Sequence, residues 1–429
     1  SNRSGGGFLA ALGSAGVSGE CMAGSKINHG LAFIMVTVLI DSIGFGIVIP
    51  VLPGLIVELS GRSIEGAAQI SGWLMFGYAI MQFVFGPVMG ALSDRFGRRP
   101  VLLASLAAFS VDYFAMGFAP TLAWLFAGRL VAGITGASFN TAYAYIADVS
   151  PPEKRAANFG RIGVAFGLGF ILGPALGGLL ATYGLRVPFY VAGGLALLNV
   201  AYGWFILPES LDVEHRRAFE WRRANPVGAL LHLRAAQPVV LALAAATFLW
   251  VLGHQSLQGT WNFYTIYRFG WSPAEVGYSL AGVGIGSILV QGLLMGRLVR
   301  RFGERRLVVA GTLSAVAGYL VYAFADQGWM MYVGILIAAL SGVVYPSLQG
   351  LMSNLTAKSG QGELQGAVAS LFSLATIIGP LVMTQAFAYF TAPAAPLQLP
   401  GAAFVMAALL TVGALLLFAR AMRMRDAVG

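Results

Sequence analysis

The chain is poor in charge and has almost no cysteine. Only 10% of its 429 residues are Asp, Glu, Lys or Arg, against about 25% in an average soluble domain. That is too few to solvate a compact surface of this size, which excludes a soluble enzyme and a disordered chain. The single cysteine, Cys21, excludes a disulfide scaffold and a cysteine zinc site. Alternating apolar and polar stretches of the kind that build barrel strands are missing. There is no phosphate-binding lysine motif and no Ser–His–Asp pattern, which argues against ATP-driven work and hydrolysis. What the chain does have is grease. It is 58% hydrophobic with a mean hydropathy of +0.77, the composition of a multi-pass membrane protein.

Twelve apolar runs are long enough to cross a bilayer as helices. They cover residues 30–52, 71–92, 101–119, 122–147, 162–183 and 187–207, then 239–267, 274–299, 307–325, 330–355, 364–390 and 402–421. These are spans 1 to 12. The expected fold is all-α, with the first six spans in residues 30–207 and the last six in 239–421. Residues 208–238, charged and carrying Trp221 and Asn225-Pro226, read as a linker along the membrane surface. Residues 1–29 are rich in Gly and Ser. Phe8–Leu12 imitates a signal peptide, but its apolar run is short and Arg3 is its only early positive charge. A flexible tail is expected there, and a second at 422–429.

Of the 26 Lys and Arg, all but Arg62, Arg186, Arg268 and the intraspan Arg129 fall on the side of the two termini. Positive residues collect on the cytoplasmic face. Both termini are therefore expected in the cytoplasm, and the net charge of +9 reads as topology rather than nucleic-acid binding. The segment Gly90-Ala-Leu-Ser-Asp-Arg-Phe-Gly-Arg-Arg-Pro100 recurs as Gly296-Arg-Leu-Val-Arg-Arg-Phe-Gly-Glu-Arg-Arg306, and Gly173-Pro174 recurs as Gly379-Pro380 at the same offset. Two matches at one offset point to a duplicated six-span unit.

The string 90–100 resembles the signature between spans 2 and 3 of the major facilitator superfamily. Gly169-Phe-Ile-Leu-Gly-Pro-Ala-Leu-Gly-Gly178 is similar to the span-5 signature of its drug–proton antiporters. Arg129-Leu-Val-Ala-Gly-Ile-Thr-Gly-Ala137 resembles the span-4 signature, with Ala132 where a Gln is often seen. Asp41-Ser-Ile-Gly-Phe-Gly-Ile-Val-Ile-Pro-Val-Leu-Pro53, Pro100–Ser105 with Asp112-Tyr113, and Gln361–Gly366 resemble the tetracycline-resistance efflux pumps. The resemblance implies a fold of two six-helix halves, a midplane substrate site and alternating access.

Charge inside a span is costly, so each instance is a functional candidate. Asp41 in span 1 and Asp112 in span 3 are candidate proton carriers, because a carboxyl in a low-dielectric cavity can load and release a proton. Arg129 in span 4 is their candidate charge partner. A static Asp–Arg pair is the plainer reading. Arg129, Gly133, Gly136, Asn140 and Tyr143 recur at helical spacing and are expected to face the cavity. So are His254, Gln258 and Asn262 in span 7, with Gln255, Trp261 and Thr265 nearby. His254 is the intraspan histidine and a candidate proton relay. With no second His, Cys or carboxylate at ligand spacing, no metal site is expected. Tyr78 with Gln82, and Tyr345 with Gln349 and Ser353, form similar rows. Substrate contacts are thus expected at Tyr78, Gln82, Asn140, Tyr143, His254, Gln258, Asn262, Tyr345 and Gln349.

Gly169, Gly173 and Gly177 step by four, Gly178 follows, and Pro174 bends the helix: a packing device. Gly282–Ser287 resembles a dinucleotide loop, but it lies inside an apolar run and reads as packing. By resemblance Gly90, Asp94, Arg95, Gly97 and Arg98 form a conformational latch, with Asp148 as a partner of Arg98. In the second copy Arg300 stands where Asp94 does.

The resulting expectation is a proton-coupled antiporter of the inner membrane that exports amphiphilic organic compounds. It is expected to act as a monomer and to need no cofactor. The tetracycline pumps carry a further acid in span 9; this chain has none there, and the aligned residue is Ala315. A broad drug or metabolite exporter is therefore expected over a dedicated tetracycline pump. The alternatives are a proton-driven importer on the same fold and, more remotely, a receptor or lipid-modifying enzyme.

Overall fold

A computed structural model describes residues 32–136, 138–217, 237–357 and 360–428. The expected tail 1–29, the linker stretch holding Trp221 and Asn225-Pro226, Lys358 and the side chain of Asn140 lie outside the described residues. No strand occurs among those described.

Among the described residues nine helices are long and apolar enough to cross a membrane. Twelve crossings follow from three details. Pro273–Phe324 is one continuous helix by its hydrogen bonds, but Gly303 breaks it at φ 75° and ψ 157°, so it holds spans 8 and 9. Span 1 is a bent pair, Ala32–Val48 and Leu52–Ser60, angled at 45°. Span 4 is Leu122–Thr135 followed by Ser138–Val149, broken at Gly136. The other spans are Ile64–Phe96 (span 2), Arg98–Gly117 (3), Pro152–Leu180 (5), Val187–Ile206 (6), Pro238–Phe269 (7), Gly328–Ala338 running through Ala339–Val343 into Val344–Asn354 (10), Gln361–Thr391 (11) and Ala402–Val428 (12). Several helices outrun their apolar stretch, because a helix keeps satisfying its own backbone after it leaves the hydrocarbon. The two ends of the molecule are called here the arginine-rich end, which carries the termini, and the far end.

The duplication is written into the backbone. Gly97 ends span 2 at φ 105° and ψ 158°, and Gly303 stands at the matching place of the second copy in nearly the same conformation. A side chain is strained at positive φ, so glycine is required twice. The contacts repeat as well. Arg98 Nε donates to Asp148 at 3.0 Å, and its counterpart Glu304 accepts from Asn354 Nδ2 at 3.4 Å. A methyl on Gly173 would meet the Gly46 Cα at 2.7 Å, and one on Gly379 would meet Leu252, the counterpart of Gly46, at 3.4 Å.

The span-5 glycines divide between two neighbours. Gly169, Gly173 and Gly177 press on the span-1 backbone from Leu39 to Ile47, while Gly178 and Pro174 press on Pro273, Ala274 and Gly277 of span 8. Span 5 thus lies between span 1 of its own half and span 8 of the other. Span 8 is anchored at the far end by a capping box: Ser272 and Glu275 exchange hydrogen bonds. In the last six spans the far end is stacked aromatic. Trp261 packs edge-on to Tyr322 and Phe404, Trp261 Nε1 donates to Ser279 Oγ at 2.9 Å, and Tyr264 donates to the Tyr322 carbonyl at 2.7 Å.

Gly173→Ala is expected to lower the thermal midpoint of detergent-solubilised protein by a few degrees, since an overpacked core costs about 1–3 kcal/mol. Gly163→Ala, where the added methyl meets open space, is expected to leave the midpoint unchanged or raise it. Equal midpoints for the two variants would contradict the span 1–span 5 contact.

Candidate functional site

Five spans of the first half bring their polar side chains to one place. Asp112 is 3% exposed and forms an ion pair with Arg129 across spans 3 and 4. The Arg129 guanidinium also lies 5.5 Å from the centre of the Tyr78 ring, a cation–π contact from span 2. Tyr78 accepts from Gln82 Nε2 at 3.4 Å, and the same amide reaches the Gly136 carbonyl at 3.2 Å. That carbonyl sits at the break in span 4, so Gln82 satisfies backbone that the broken helix leaves exposed. Asp112 Oδ1 and Arg129 Nε, both buried, have no hydrogen-bond partner among the described residues.

Asp41 stands beside this pair. It accepts from Asn199 Nδ2 of span 6 at 3.4 Å, and Asn199 also accepts from Thr37 Oγ1 at 3.1 Å. The Asp41 carboxylate is within electrostatic reach of Tyr78 and Tyr113. Asn199 escaped the sequence reading. Its signal was available: it is a lone carboxamide in an otherwise apolar span.

Two expected polar faces are corrected. Gly133 and Gly136 do not face a cavity: a methyl on Gly133 would meet the Tyr78 carbonyl and the Met81 side chain, and one on Gly136 would approach Gln82 and Tyr78. Their smallness lets span 4 close on span 2. Tyr143, half exposed, tilts against Phe159 at 5.7 Å. In span 7 the row His254, Gln258 and Asn262 splits three ways. His254 Nδ1 lies 3.3 Å from the Tyr319 hydroxyl of span 9 and stacks on Trp250. Gln258 is exposed. Asn262 donates to the Ile49 carbonyl of span 1 at 2.6 Å. Gln255 packs under Gly379, and Trp261 belongs to the aromatic stack. The row separates because span 7 is enclosed on several sides, and periodicity alone names no neighbour. Tyr319, one turn beyond Ala315, is a second residue the sequence reading missed. In span 10 Gln349 Nε2 donates to the Tyr345 hydroxyl at 3.0 Å.

At the arginine-rich end Arg98 binds Ser93 at 2.6 Å, Asp94 at 2.5 Å and Asp148 at 3.0 Å. Glu209, at the start of the linker, accepts from the Arg98 backbone N–H at 2.8 Å and so caps span 3. The Arg217 N–H donates to the Asp94 carbonyl at 3.1 Å. Gly90 has open space beside it, and Arg95 lies over Phe96.

The halves meet at the far end. Gly178 abuts Pro273 and Ala274, Gly277 abuts Pro174, and Gly72 abuts Thr384. Gln385 Nε2 donates to the Gln69 carbonyl at 3.1 Å. Toward the arginine-rich end Gly160 and Gly163 of span 5 and Gly362 of span 11 face open space. The contacts between the halves described here gather at the far end.

The model of the Major Facilitator Superfamily matches residues 34–380 and 255–427. The chain belongs to that superfamily. As a superfamily member it is a multi-pass membrane transporter of small molecules and not an enzyme. It is 42% identical to the class C tetracycline resistance protein of Escherichia coli, over 85% of this chain and 91% of the relative. It is 41% identical to the class G protein of Vibrio anguillarum, over 80% and 87%. The multidrug resistance protein 2 of Bacillus subtilis is 28% identical over 79% and 84%. Among solved structures, the human organic anion transporter MFSD10 aligns with a TM-score of 0.67 at 24% identity, over 91% of this chain and 99% of that one. A D-xylose–proton symporter aligns at 0.70 and 16%, over 92% and 97%. At these identities the two structures establish the fold.

Removing one member of a buried ion pair costs about 3–5 kcal/mol, whereas replacing both by apolar residues is far milder. Arg129→Ala is therefore expected to lower thermal stability much more than the double change of Asp112→Leu with Arg129→Leu. Thermal unfolding in detergent reads the difference. Equal losses would mean that the pair is solvated.

Proposed function

We propose that this transporter is a proton-coupled antiporter that exports amphiphilic organic compounds, tetracycline-like ones among them, from the cytoplasm across the inner membrane. It works as a monomer, with both termini cytoplasmic. The observation that carries this reading is the buried Asp112–Arg129 pair with Asp41 beside it, the acids set deep in the first half. A charge in hydrocarbon is kept only where it works, and protons are the ions that carboxylates can carry without a coordination cage. The kinship to tetracycline resistance proteins over most of the chain supports export.

The chemistry follows from the pairing. A proton arriving at Asp112 removes one charge of the pair and leaves the Arg129 guanidinium to Tyr78 and to the cavity. Asp41, held by Asn199, is the second acid that can take the guanidinium or a proton. Each state has a different charge facing the substrate space, so proton and substrate compete for one conformation. The two halves, 30–207 and 239–421, rock about that space. In this reading Tyr345, Gln349 and the exposed Gln258 serve as substrate contacts from the second half. His254, held by Tyr319, relays protons in the second half, where span 9 has Ala315 in place of an acid. In this reading the arginine-rich loops mark the cytoplasmic face, and the Arg98–Asp94–Asp148 cluster is the latch of that face.

The test is proton movement in proteoliposomes loaded with candidate compounds. Substrate inside is expected to speed the dissipation of a preset inward proton gradient. Asp41→Asn is expected to abolish that acceleration. Transport that proceeds unchanged with the gradient collapsed, or an Asp41→Asn protein that still moves substrate uphill, would overturn the proposal.

A further inference from the structure

Span 1 has a defect that the other half repairs. It bends by 45° between Val48 and Leu52, and the sequence there is Ile49-Pro50-Val51-Leu52-Pro53. In a continuous helix the Ile49 carbonyl would accept from the N–H of residue 53. Pro53 has no N–H, so that carbonyl is left without its helical donor. In hydrocarbon an unsatisfied carbonyl is expensive. The donor comes from across the molecule: Asn262 Nδ2 of span 7, at 2.6 Å. Asn262 is itself 9% exposed, so the bond is shielded from water.

From this geometry we infer that Asn262 is a positioning residue for alternating access: it holds the far-end seam closed by satisfying the carbonyl that Pro53 orphans. The bond joins opposite halves and must break for the far end to open. On opening, the Ile49 carbonyl is wetted by the vestibule that forms, so water replaces Asn262. The closed state thus owes part of its stability to one neutral hydrogen bond placed at a built-in break. Gln385 makes the same kind of contact to the Gln69 carbonyl of span 2, but there the carbonyl lies within an unbroken helix. Asn262 was expected to touch substrate; its amide is instead committed to the seam. Ile49 lies eight residues beyond Asp41 on the same span, about 12 Å along a helix. The bend that Asn262 stabilises is therefore also the outer end of the rod that carries the first candidate acid. The inference concerns gating, and it stands whichever cargo or ion is coupled.

Reporter labelling tests it. In a Cys21→Ser background, Thr384→Cys places a thiol in the seam against Gly72, where Thr384 is fully buried. A membrane-impermeant maleimide is added from the face opposite the termini. The reporter alone is expected to label slowly. Asn262→Leu is expected to raise the labelling rate about three- to tenfold, the effect of losing one net hydrogen bond. Asn262→Ala also removes the donor, and is expected to do the same. Pro53→Ala supplies the missing N–H from within span 1; in that background the Asn262→Leu effect is expected to shrink toward one. Unchanged labelling in the two Asn262 variants, or an Asn262→Leu effect of the same size with Pro53→Ala present, would overturn the inference. Because the readout is accessibility, a protein that moves no protons still gives an answer.

Discussion

Hydrocarbon offers no partner to a polar group, and the rest of this structure follows from how that deficit is met. Backbone is satisfied by helices, and where a helix breaks a side chain steps in. Gln82 covers the Gly136 carbonyl at the break in span 4, and Asn262 covers the Ile49 carbonyl at the break in span 1. Side-chain charge is met by pairing: Arg129 holds Asp112. The same rule that makes these groups costly makes them informative, since a charge kept inside a span is a functional candidate.

Close packing supplies the second ingredient. The span-5 glycines let one helix touch span 1 and span 8 at backbone distance, and this is where the two halves meet. Among the described residues this seam consists of glycine, proline and a few neutral hydrogen bonds, with no ion pair. The arginine-rich end is built differently. There Arg98 gathers Ser93, Asp94 and Asp148, and Glu209 ties the start of the linker to span 3. The described contacts between the halves are neutral and those around Arg98 are charged, so salt acts on them unequally.

Much of the fold was legible in the residue string. Twelve apolar runs, the arginine bias and the repeat at one offset lead to two six-helix halves, and Gly97 and Gly303 carry the repeat down to matching positive φ. Asp41, Asp112 and Arg129 were legible as candidates because charge in an apolar run is conspicuous. Asn199 was legible too, as a lone carboxamide in an apolar span, but Tyr319 was not, because a single phenol in a span looks like any other packing residue until its partner is known. The faces of spans 4 and 7 were misread for a related reason. A period of 3.6 says which residues share a side, but a helix packed on several sides has no single cavity face.

By itself the sequence determined the number of crossings, the end at which positive charge collects, the duplication and the short roll of buried ionisable groups, since these depend on composition and spacing along one chain. Only the tertiary structure decided that Asp112 faces Arg129 while Asp41 turns to Asn199, that Gly133 serves packing, and that Asn262 belongs to a seam. Those facts depend on which helices are neighbours. Neighbours in a bundle are chosen by the fit of small residues and orphaned carbonyls across different spans, and no local pattern encodes that.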